Sequence, residues 1–533
     1  MGVHGSACTC EGCADTGDTH FVNPFGRFPF ASGLFGRETR CKIQDVTPSI
    51  ERRSLKLRVP ALLLLLTFVA VLIHGYHVGV EDQEVYLAAI KKNLDPSLYP
   101  FNSVFFTEQM KVSLFVPAVA ASIRVMHSDE WALLLWHLGS IFLILLGCWK
   151  VASHCFSEER ERWAGVLLVA VLLTLPLAGT ALYPVDQYLH PRAPAAGASL
   201  MAIAAALEKR WGRAVLWTLV STAMHPLMAM FGASLTLFVA WPSSAVPRWR
   251  EAAAAFLPLD LLKEPSDAWK EATHARTYYF PTQWQWYEWL GLVAPVAMLW
   301  WFSDIARRRG LKNLEHLASR SFAFAIFQFV IAAAMTIPAS RQTASLQPMR
   351  WLHILYFVFL LIAGGLAARY IFPRRLWVGA TVLAGLAGTM FFVQLDLFRY
   401  SDHIELPGQT VKNPWANAFL WARGNTPKDA VFATVPKYMD LHAEDAYGFR
   451  ALSERSMLAE NQKDPGAATV FPELAPVWQQ QVHSQQGIEN FNRAQFSDLG
   501  RRWGASWVVL PVTAKVELDC PYTNQAAKVC KLQ

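Results

Sequence analysis

The chain has 533 residues, of which 53% are hydrophobic and only 17% are charged. Soluble domains carry about a quarter charged residues, so the composition excludes a wholly soluble protein. The formal net charge of +7 does not indicate nucleic-acid binding, because the basic residues gather at the ends of apolar runs, as in Arg307–Arg309. Lys and Arg collect in this way in the short cytoplasmic loops of membrane proteins.

Long apolar runs between Val59 and Leu397 predict membrane-spanning helices. Only helices and closed barrels satisfy the backbone in lipid, and the runs are too continuous for barrel strands, which alternate over about ten residues. Basic loops on one side predict about nine crossings, with a cytoplasmic amino terminus and an extracytoplasmic carboxyl terminus. The predicted spans are Val59–Tyr76, Trp131–Val151, Trp163–Leu182, Ala193–Leu207, Ala214–Trp241, Trp289–Ile305, Phe322–Pro338, Trp351–Ala368 and Leu376–Leu397.

One further apolar segment, Phe105–Met126, contains the charged residues Glu108, Lys111 and Arg124. If this segment crossed the membrane, every later loop would change sides and the basic loops would face outward, against the usual charge distribution. We therefore predict an outer helix that lies along the membrane or dips into it.

The composition divides the chain into three parts. Residues 1–58 are predicted to form a disordered cytoplasmic tail, 59–397 a transmembrane domain, and 398–533 an extracytoplasmic domain of ordinary soluble composition. Alternating helical and short apolar patterns in the last part predict a small α/β domain. The predicted elements are helices at Trp415–Arg423 and Gln495–Trp503 and buried strands at Ala430–Thr434 and Ser506–Leu510.

The cysteines give two further expectations. Cys520 and Cys530 fall in the extracytoplasmic part, where oxidation is permitted, so we expect a disulfide; the alternative is a pair of free thiols. The pattern CxCxxC at positions 8–13, with a nearby histidine, has the ligand types of a metal site. An unstructured tail with unconnected cysteines is the interpretation that we favour for it.

Two outer segments contain residue types that could carry chemistry. Glu81 and Asp82 follow the first span, and paired carboxylates can act as a general base or bind a divalent metal; the alternative is a solvated acidic loop. The second outer turn contains Asp186, His190 and Arg192. Ionisable residues at the membrane edge tend to be functional, although Arg192 could also simply extend its side chain to the interface.

Three other residues are candidate substrate-binding positions. His225 precedes a proline inside an apolar span, where it either faces the site or bonds the carbonyl that the proline leaves free. Arg341 and Arg350 flank an outer loop, where arginine either binds phosphate through two hydrogen bonds or anchors a helix end. The outer loop Pro242–Glu288 is rich in aromatic residues, which suits a lid over a lipid substrate or an interfacial anchor.

This order of segments resembles the GT-C superfamily of membrane glycosyltransferases. A first span is followed by a large outer loop that opens with Val80-Glu81-Asp82-Gln83-Glu84, then by a non-crossing helix, a second outer loop with Asp186, and a soluble domain. More closely, the chain is similar to bacterial membrane proteins of this type in three short matches. These are His190-Pro191-Arg192, His225-Pro226 and Gln347-Pro348-Met349-Arg350.

The resemblance implies a function and a catalytic position. GT-C enzymes take a sugar from a polyprenyl-phosphate or related lipid carrier, and an acidic residue of the first outer loop is their usual catalytic residue. Asp82 matches that position best and Glu81 second, with Asp186 as a further catalytic candidate. The motif of oligosaccharyltransferases, WWDYG, is missing, which weakens a metal-dependent amide glycosylation, although a divalent metal stays open.

Two functions therefore stay open. The first is a glycosyltransferase of the bacterial inner membrane, whose partners are a lipid-linked sugar donor, an acceptor and membrane lipid. The second is a non-enzymatic scaffold or a transporter of envelope polysaccharide or lipid. A transporter is expected to contain repeated halves and facing broken helices, and the sequence contains one broken helix and no clear repeat.

Overall fold

The computed structural model describes residues 49–241, 266–336, 343–373 and 375–532. The chain forms two units, Met1–Leu55 and Lys56–Gln533. Most of the predicted cytoplasmic tail, including the CxCxxC pattern, lies outside the described residues, and so does Arg341. All elements named below belong to the second unit, apart from the beginning of the first helix.

The amino-terminal three quarters of the second unit is helical. Within the described ranges, five segments are long and apolar enough to cross a membrane: Asp129–Cys155, Trp286–Arg308, Lys312–Thr336, Thr343–Ile371 and Leu376–Leu397. The helices of this part are Ser49–His74, Gln83–Leu94, Val104–Thr107, Phe115–Met126, Asp129–Cys155, Glu159–Val171, Arg192–Leu207, Trp211–Met224, Pro226–Ala240, Asp267–His274, Trp286–Arg308, Lys312–Thr336, Leu352–Leu366 and Leu376–Leu397.

These segments confirm a multi-pass membrane protein and the positions of several predicted spans. The span Leu376–Leu397 has the predicted limits, and the helix Asp129–Cys155 contains the predicted span Trp131–Val151. Two shorter apolar helices, Arg192–Leu207 and Pro226–Ala240, have 16 and 15 residues, and the apolar stretch Arg58–His74 is part of the longer helix Ser49–His74. The count of nine crossings and the orientation stay predictions.

The predicted span Trp163–Leu182 is wrong in extent. Its helix, Glu159–Val171, ends early, and the chain then runs without regular helix to Pro191. Pro176 lacks the amide hydrogen that an interior helical position needs, and Ala178 and Ala181 adopt positive φ angles of 49° and 52°. Irregular backbone at membrane depth is tolerated where protein covers it. This stretch is mostly buried and carries Asp186 and His190 toward the other helices.

The predicted span Ala214–Trp241 is also wrong, because it is two helices that fold back on each other. The hydroxyl oxygens of Ser199 and Ser221 are 2.9 Å apart, and a Cβ added to Gly232 would lie 2.2 Å from the same Ser199 oxygen. Ser221 and Gly232 would be about 16 Å apart along one straight helix. His225 is extended, with φ −154° and ψ 93°, so the chain reverses there, immediately before Pro226.

The reversal changes the position of the end of this segment. His316 Nε2 contacts the carbonyl oxygen of Val239 at 2.9 Å, and His316 lies in the first turns of the helix Lys312–Thr336. Trp241 therefore lies near Lys312 and not near His225. The predicted outer loop begins at Pro242, and residues 242–265 lie outside the described ranges.

The segment Phe105–Met126 is not one straight helix. Val104–Val112 and Phe115–Met126 meet at an angle of 99°, and the amide of Leu114 at the bend donates to the carbonyl of Ala223. Phe115–Met126 packs on Gln83–Leu94 and on Asp129–Cys155. A bent pair of helices of this kind is either a broken span or a re-entrant segment, so the outer helix that does not cross the membrane stays a prediction.

The carboxyl-terminal part is a small α/β domain, as predicted. Five strands form one sheet: β1 Val431–Thr434, β2 Ser456–Met457, β3 Trp507–Pro511, β4 Tyr522–Thr523 and β5 Ala527–Lys531. Their order is β2-β1-β3-β5-β4, with β1 parallel to β2 and β3, and β5 antiparallel to β3 and β4. Its α-helices are Pro414–Asn425, Phe449–Ser453, Asp464–Val470, Ala475–Ser484 and Arg493–Trp503.

The predicted elements of this domain are confirmed, and so is its disulfide. β1 and β3 are buried along their whole length, and two helices contain the predicted Trp415–Arg423 and Gln495–Trp503. Cys520 and Cys530 are bonded, which ties the last strand to the loop before β4.

Candidate functional site

The loop that follows the first helix is fixed by backbone pairing with the carboxyl-terminal domain. The amide of Gly448 donates to the carbonyl of Gly79 at 2.6 Å, and the amide of Glu81 donates to the carbonyl of Ala446 at 2.7 Å. Glu81 has a φ of 53° and Ala446 a φ of 59°. Left-handed backbone at residues other than glycine is costly and gathers at functional sites. The pairing therefore holds Glu81, directly before Asp82, in a conformation that the loop alone would not favour.

Asp82 stands directly before the helix Gln83–Leu94, yet its carboxylate makes no capping bond to that helix. One oxygen, Oδ2, is 3.3 Å from His190 Nε2 and 3.2 Å from Arg192 Nη1. The other, Oδ1, accepts from Lys463 Nζ at 3.1 Å. We call these four residues the Asp82 cluster. The Asp82 side chain keeps 28% of its surface exposed, so a ligand can reach it.

The hydrogen bonds define the protonation of the Asp82 cluster. The amide of Arg192 donates to His190 Nδ1 at 3.0 Å, so the proton of a neutral His190 is on Nε2 and points at Asp82. Burial and then the charge of Arg192 lower the pKa of His190 to about 3. Burial would raise the pKa of Asp82, but Lys463, the bond from His190 and the charge of Arg192 hold it well below its usual range. Asp82 is therefore an ionised carboxylate beside a neutral histidine.

Asp186 acts on the Asp82 cluster through Arg192. Arg192 Nη2 donates to both carboxylate oxygens of Asp186 at 3.0 Å, and the two side chains are only 5% and 6% exposed. Burial raises the pKa of Asp186 even though Arg192 opposes that rise. Asp186 thus lies behind the guanidinium that contacts Asp82, where it can support Arg192, and its catalytic role stays a prediction.

Lys463 was missed by the sequence analysis. It comes from the carboxyl-terminal domain, 381 residues from Asp82, and it also bonds Glu81, whose side chain is 45% exposed. Burial would lower the pKa of Lys463, but Asp82 and Glu81 raise it, so the lysine is charged. A single lysine before Asp-Pro-Gly has no local pattern that distinguishes it from a surface turn.

Two arginines near the Asp82 cluster have no carboxylate in ion-pair contact within the described part of the chain. Arg276 donates to the hydroxyl of Tyr278 at 3.0 Å and to the carbonyl of Lys463 at 2.7 Å, and its Nε is buried without a hydrogen-bond partner; the same is true of Arg350 Nε. Burial would raise the pKa of Tyr278, but Arg276 and then Arg350 lower it, and Asp82 and Lys463 act on the same phenol. Arg276 thus contacts Tyr278 directly, and the charge of the predicted phosphate ligand Arg350 acts on the same side chain.

His225 lies beside the Asp82 cluster. Its ring centroid is 6.1 Å from that of His190, and its Nδ1 is buried without a hydrogen-bond partner. Across the described residues the ring bonds no backbone carbonyl, so the alternative in which His225 satisfies a carbonyl freed by Pro226 is not what the structure contains. The other predicted substrate ligand, Arg341, lies outside the described residues.

The residues around Asp82 do not fit a bound divalent metal. No group of three or more His, Cys, Asp and Glu side chains with metal-binding geometry occurs among the residues that the structure describes. The carboxylates of Asp82 and Asp186 are instead taken by Arg192 and Lys463. A metal ion here would have to displace these cations first.

A second cluster of buried charges lies next to the Asp82 cluster. Glu84, Glu460 and Asp464 are fully buried and surround one guanidinium, that of Arg450. One cation cannot balance three carboxylates. Burial is the main cause that raises the pKa of Glu84 to about 8 and that of Glu460 to about 7.

These raised pKa values predict that the protein becomes less stable as the pH rises. Folding favours the protonated form of Glu84 and Glu460, so their contribution is fully present below about pH 4.5 and is lost as the pH rises through 7 and 8. Each group changes the free energy of unfolding by up to about 1.4 kcal/mol per pH unit. Thermal unfolding in detergent at pH 5.5 and 8.5 measures the effect, and Glu84→Gln should flatten it. A midpoint that rises with pH over this window would contradict the assignment.

No family model matches the chain, and no curated protein matches it in sequence at a significant level. Solved structures align with most of the chain. ArnT from Cupriavidus metallidurans in the apo state is 15% identical, with 91% of this chain and 99% of that chain covered and a TM-score of 0.43. The oligosaccharyltransferase AglB from Archaeoglobus fulgidus, in complex with an inhibitory peptide and a dolichol-phosphate, is 11% identical, with 87% and 70% covered and a TM-score of 0.49.

The apo form of the Archaeoglobus fulgidus oligosaccharyltransferase is 12% identical, with the same coverage and a TM-score of 0.48. These proteins are GT-C glycosyltransferases, the superfamily that the sequence resembles. Identities of 11–15% and TM-scores below 0.5 assign no reaction, donor or acceptor to this chain.

Proposed function

We propose that this protein is a glycosyltransferase of the bacterial inner membrane, which moves a sugar from a polyprenyl-phosphate-linked donor to an acceptor at the outer face. The observation that carries the proposal is the charge arrangement around Asp82. An ionised, partly exposed carboxylate belongs to the same group of charges as two guanidinium groups that no described carboxylate neutralises. Arg276 donates to the carbonyl of Lys463, and the charge of Arg350 acts on His190. A base beside unneutralised cations is what an acceptor hydroxyl and a donor phosphate require together.

The net charge of the site favours an anion. The site contains more lysine and arginine side chains than carboxylates, and His190 is neutral. The surplus of one positive charge matches one phosphate group, and buried cations gain most from a charged hydrogen-bond acceptor. The group consists of four cations, Arg192, Arg276, Arg350 and Lys463, and three carboxylates, Glu81, Asp82 and Asp186.

The reaction would be a single inverting displacement. The acceptor hydroxyl oxygen bonds to the anomeric carbon and its proton moves to the carboxylate of Asp82, while the bond between that carbon and the phosphate oxygen breaks. The phosphodiester with one negative charge thereby becomes a phosphomonoester with two. Arg276 and Arg350 stabilise the charge that develops on the leaving phosphate. Glu81 stays outside the reaction, because its side chain is more exposed than that of Asp82 and pairs, among the described residues, with Lys463.

A carboxylate with a low pKa is a weak base. Asp82 can therefore accept the proton of the acceptor only if the bound donor raises its pKa. A phosphate group that enters the site offers Lys463 and Arg192 a second anionic partner. The two cations then neutralise Asp82 less completely, and its basicity rises in the complex with the donor. The free enzyme keeps Asp82 ionised, and the bound donor makes it reactive.

Arg350→Met and Arg276→Met are each expected to weaken the binding of polyprenyl phosphate about 10- to 100-fold. A hydrogen bond to a charged group contributes about 1.5 to 3 kcal/mol, and both arginines have free donors at the site. Binding to the purified protein in nanodiscs measures this effect. Arg309→Met is the matched control, because Arg309 is exposed at the end of the helix Trp286–Arg308. Unchanged binding in both site variants would favour the scaffold over the enzyme.

A further inference from the structure

Lys463 sits in a loop whose shape is fixed by its own side chains. We call Glu460–Gly466 the lysine loop. The buried carboxylate of Glu460 accepts the amide hydrogens of Gln462 at 2.5 Å, Lys463 at 2.5 Å and Asp464 at 2.6 Å. Three amides bonded to one carboxyl group restrict the backbone around Lys463. The direction in which Lys463 leaves the domain is therefore set by the lysine loop.

Arg450 joins the lysine loop to the loop of Asp82. Its guanidinium, in a side chain that is 1% exposed, donates to the two oxygens of Asp464 at 2.9 and 2.6 Å. It also lies 3.4 Å from Glu84 Oε1. Asp464 directly follows Lys463, and Glu84 follows Asp82 by two residues. The guanidinium of Arg450 thus holds Asp464, which is next to Lys463 in sequence, and Glu84, which is two residues from Asp82.

Glu84 is packed closely against the backbone of the carboxyl-terminal domain, so Glu84 and Arg450 have little room to move. Glu84 Oε2 accepts the amide of Ala451 at 3.1 Å, and a Cβ added to Gly448 would lie 2.5 Å from the same oxygen. The backbone of the carboxyl-terminal domain therefore touches Glu84 directly, on the residues that flank Arg450. A shift of Arg450 would move Glu84 and Asp464 relative to each other.

We propose that Arg450 is a positioning residue that sets the contact between Lys463 and Asp82, so that the carboxyl-terminal domain completes the site. The proposal rests on the function proposed above. Lysine has a long, flexible side chain that bonds as a point charge, so its contact with Asp82 depends on where the lysine loop is held. Arg450 acts on the reaction through Lys463, and it contacts neither Asp82 nor the predicted substrate.

The pH profile of the reaction distinguishes positioning from mere structural support. His190, Arg192 and Lys463 face Asp82 directly, and Glu81 and Asp186 lie behind them. Lys463 is the largest of the causes that lower the pKa of Asp82. If Lys463 loses its contact, the acidic limb of kcat/KM moves to higher pH. Every unit that the pKa of Asp82 lies above the assay pH lowers the ionised fraction about tenfold.

The experiment compares Lys463→Met, Arg450→Lys and the double variant over pH 4 to 8. Arg450→Lys keeps the charge and removes the two-pronged bond to Asp464. We expect Arg450→Lys to move the acidic limb in the same direction as Lys463→Met, and the double variant to move it no further, because both remove one contact. A rate that falls equally at all pH values, with an additive double variant, would overturn the proposal.

Two further measurements keep the test decisive. If Arg450→Lys does not fold, Asp464→Asn replaces it, since this variant keeps the shape and weakens the bond from the other side. Hydrogen exchange of residues 79–85 and 460–466 needs no substrate. Faster exchange of both segments in either variant supports positioning, and exchange like that of the wild type contradicts it. A wild-type protein without transfer activity would refute the proposed function and leave hydrogen exchange to decide on Arg450.

Discussion

Asp82→Asn is expected to lower the rate of sugar transfer by a factor of about 10² to 10⁴, the usual loss when a general base is removed. The asparagine keeps the shape of the side chain and can still accept bonds from His190 and Arg192. It cannot take the proton of the acceptor. Transfer should therefore fall while the amount of folded protein in the membrane stays the same, and a transfer assay combined with size-exclusion chromatography measures both.

The matched control is Glu81→Gln, which removes the same charge one residue away. The Glu81 side chain is 45% exposed and its ion-pair partner in the described part of the chain is Lys463, so its loss should change the rate only slightly. A wild-type rate in Asp82→Asn together with an inactive Glu81→Gln would move the base to Glu81. Wild-type rates in both variants would leave the acidic loop without a catalytic role and would favour the scaffold.

Asp186→Ala is expected to destabilise the protein by about 3 kcal/mol. Removing one partner of a buried ion pair leaves the other charge uncompensated, which costs about 3 to 5 kcal/mol. Arg192 keeps its contact with Asp82, and this places the effect at the lower end of the range. Thermal unfolding of the purified protein gives the difference, and transfer should also fall because Arg192 is no longer held against Asp82.

A double variant distinguishes the loss of the whole ion pair between Asp186 and Arg192 from the loss of one partner. Replacing a buried ion pair by apolar residues of similar volume is often neutral or stabilising. Asp186→Leu with Arg192→Met should therefore be more stable than Asp186→Ala, even though it lacks the guanidinium that reaches Asp82. If Asp186→Ala unfolds at the temperature of the wild type, Arg192 is hydrogen-bonded to water or to another residue in the variant. Asp186 is then not needed to hold Arg192.

Much of the membrane part and of the small domain could be predicted because their signals are local. The span Leu376–Leu397 is a continuous apolar run between a basic cluster and a polar loop, and its predicted limits agree with the helix. β1 and β3 are short apolar runs between turn residues. Asp82 and Arg192 could be identified because charges beside an apolar run are rare and costly.

The sequence could not predict how the apolar segments fold back on each other. The residues on both sides of His225 are apolar, so composition alone does not separate one long span from two helices that reverse at that histidine. The early end of the helix Glu159–Val171 did have a signal, in Pro176, but a single proline is also compatible with a kinked span.

Two cations of the site could not be predicted, because they reach Asp82 and its neighbours only through the tertiary fold. Lys463 and Arg276 come from segments far from Asp82 in sequence, and each is an ordinary polar residue in its own surroundings. Only the docking of the carboxyl-terminal domain, through Gly448 and Ala446, brings the lysine loop to Asp82. The carboxylates of the site and two of its four cations, Arg192 and Arg350, were therefore predictable, and Lys463 and Arg276 were not.

The release of the sugar from its lipid carrier tests the proposed function most directly. Protein in proteoliposomes would receive a polyprenyl-phosphate sugar that is labelled in the sugar, together with a cell-envelope extract as the source of acceptor. The label is expected to leave the lipid fraction with the wild type, with polyprenyl phosphate as the second product, and to remain there with Asp82→Asn. Label that stays on the lipid with the wild type, or leaves it equally fast with Asp82→Asn, would contradict a glycosyltransferase whose base is Asp82.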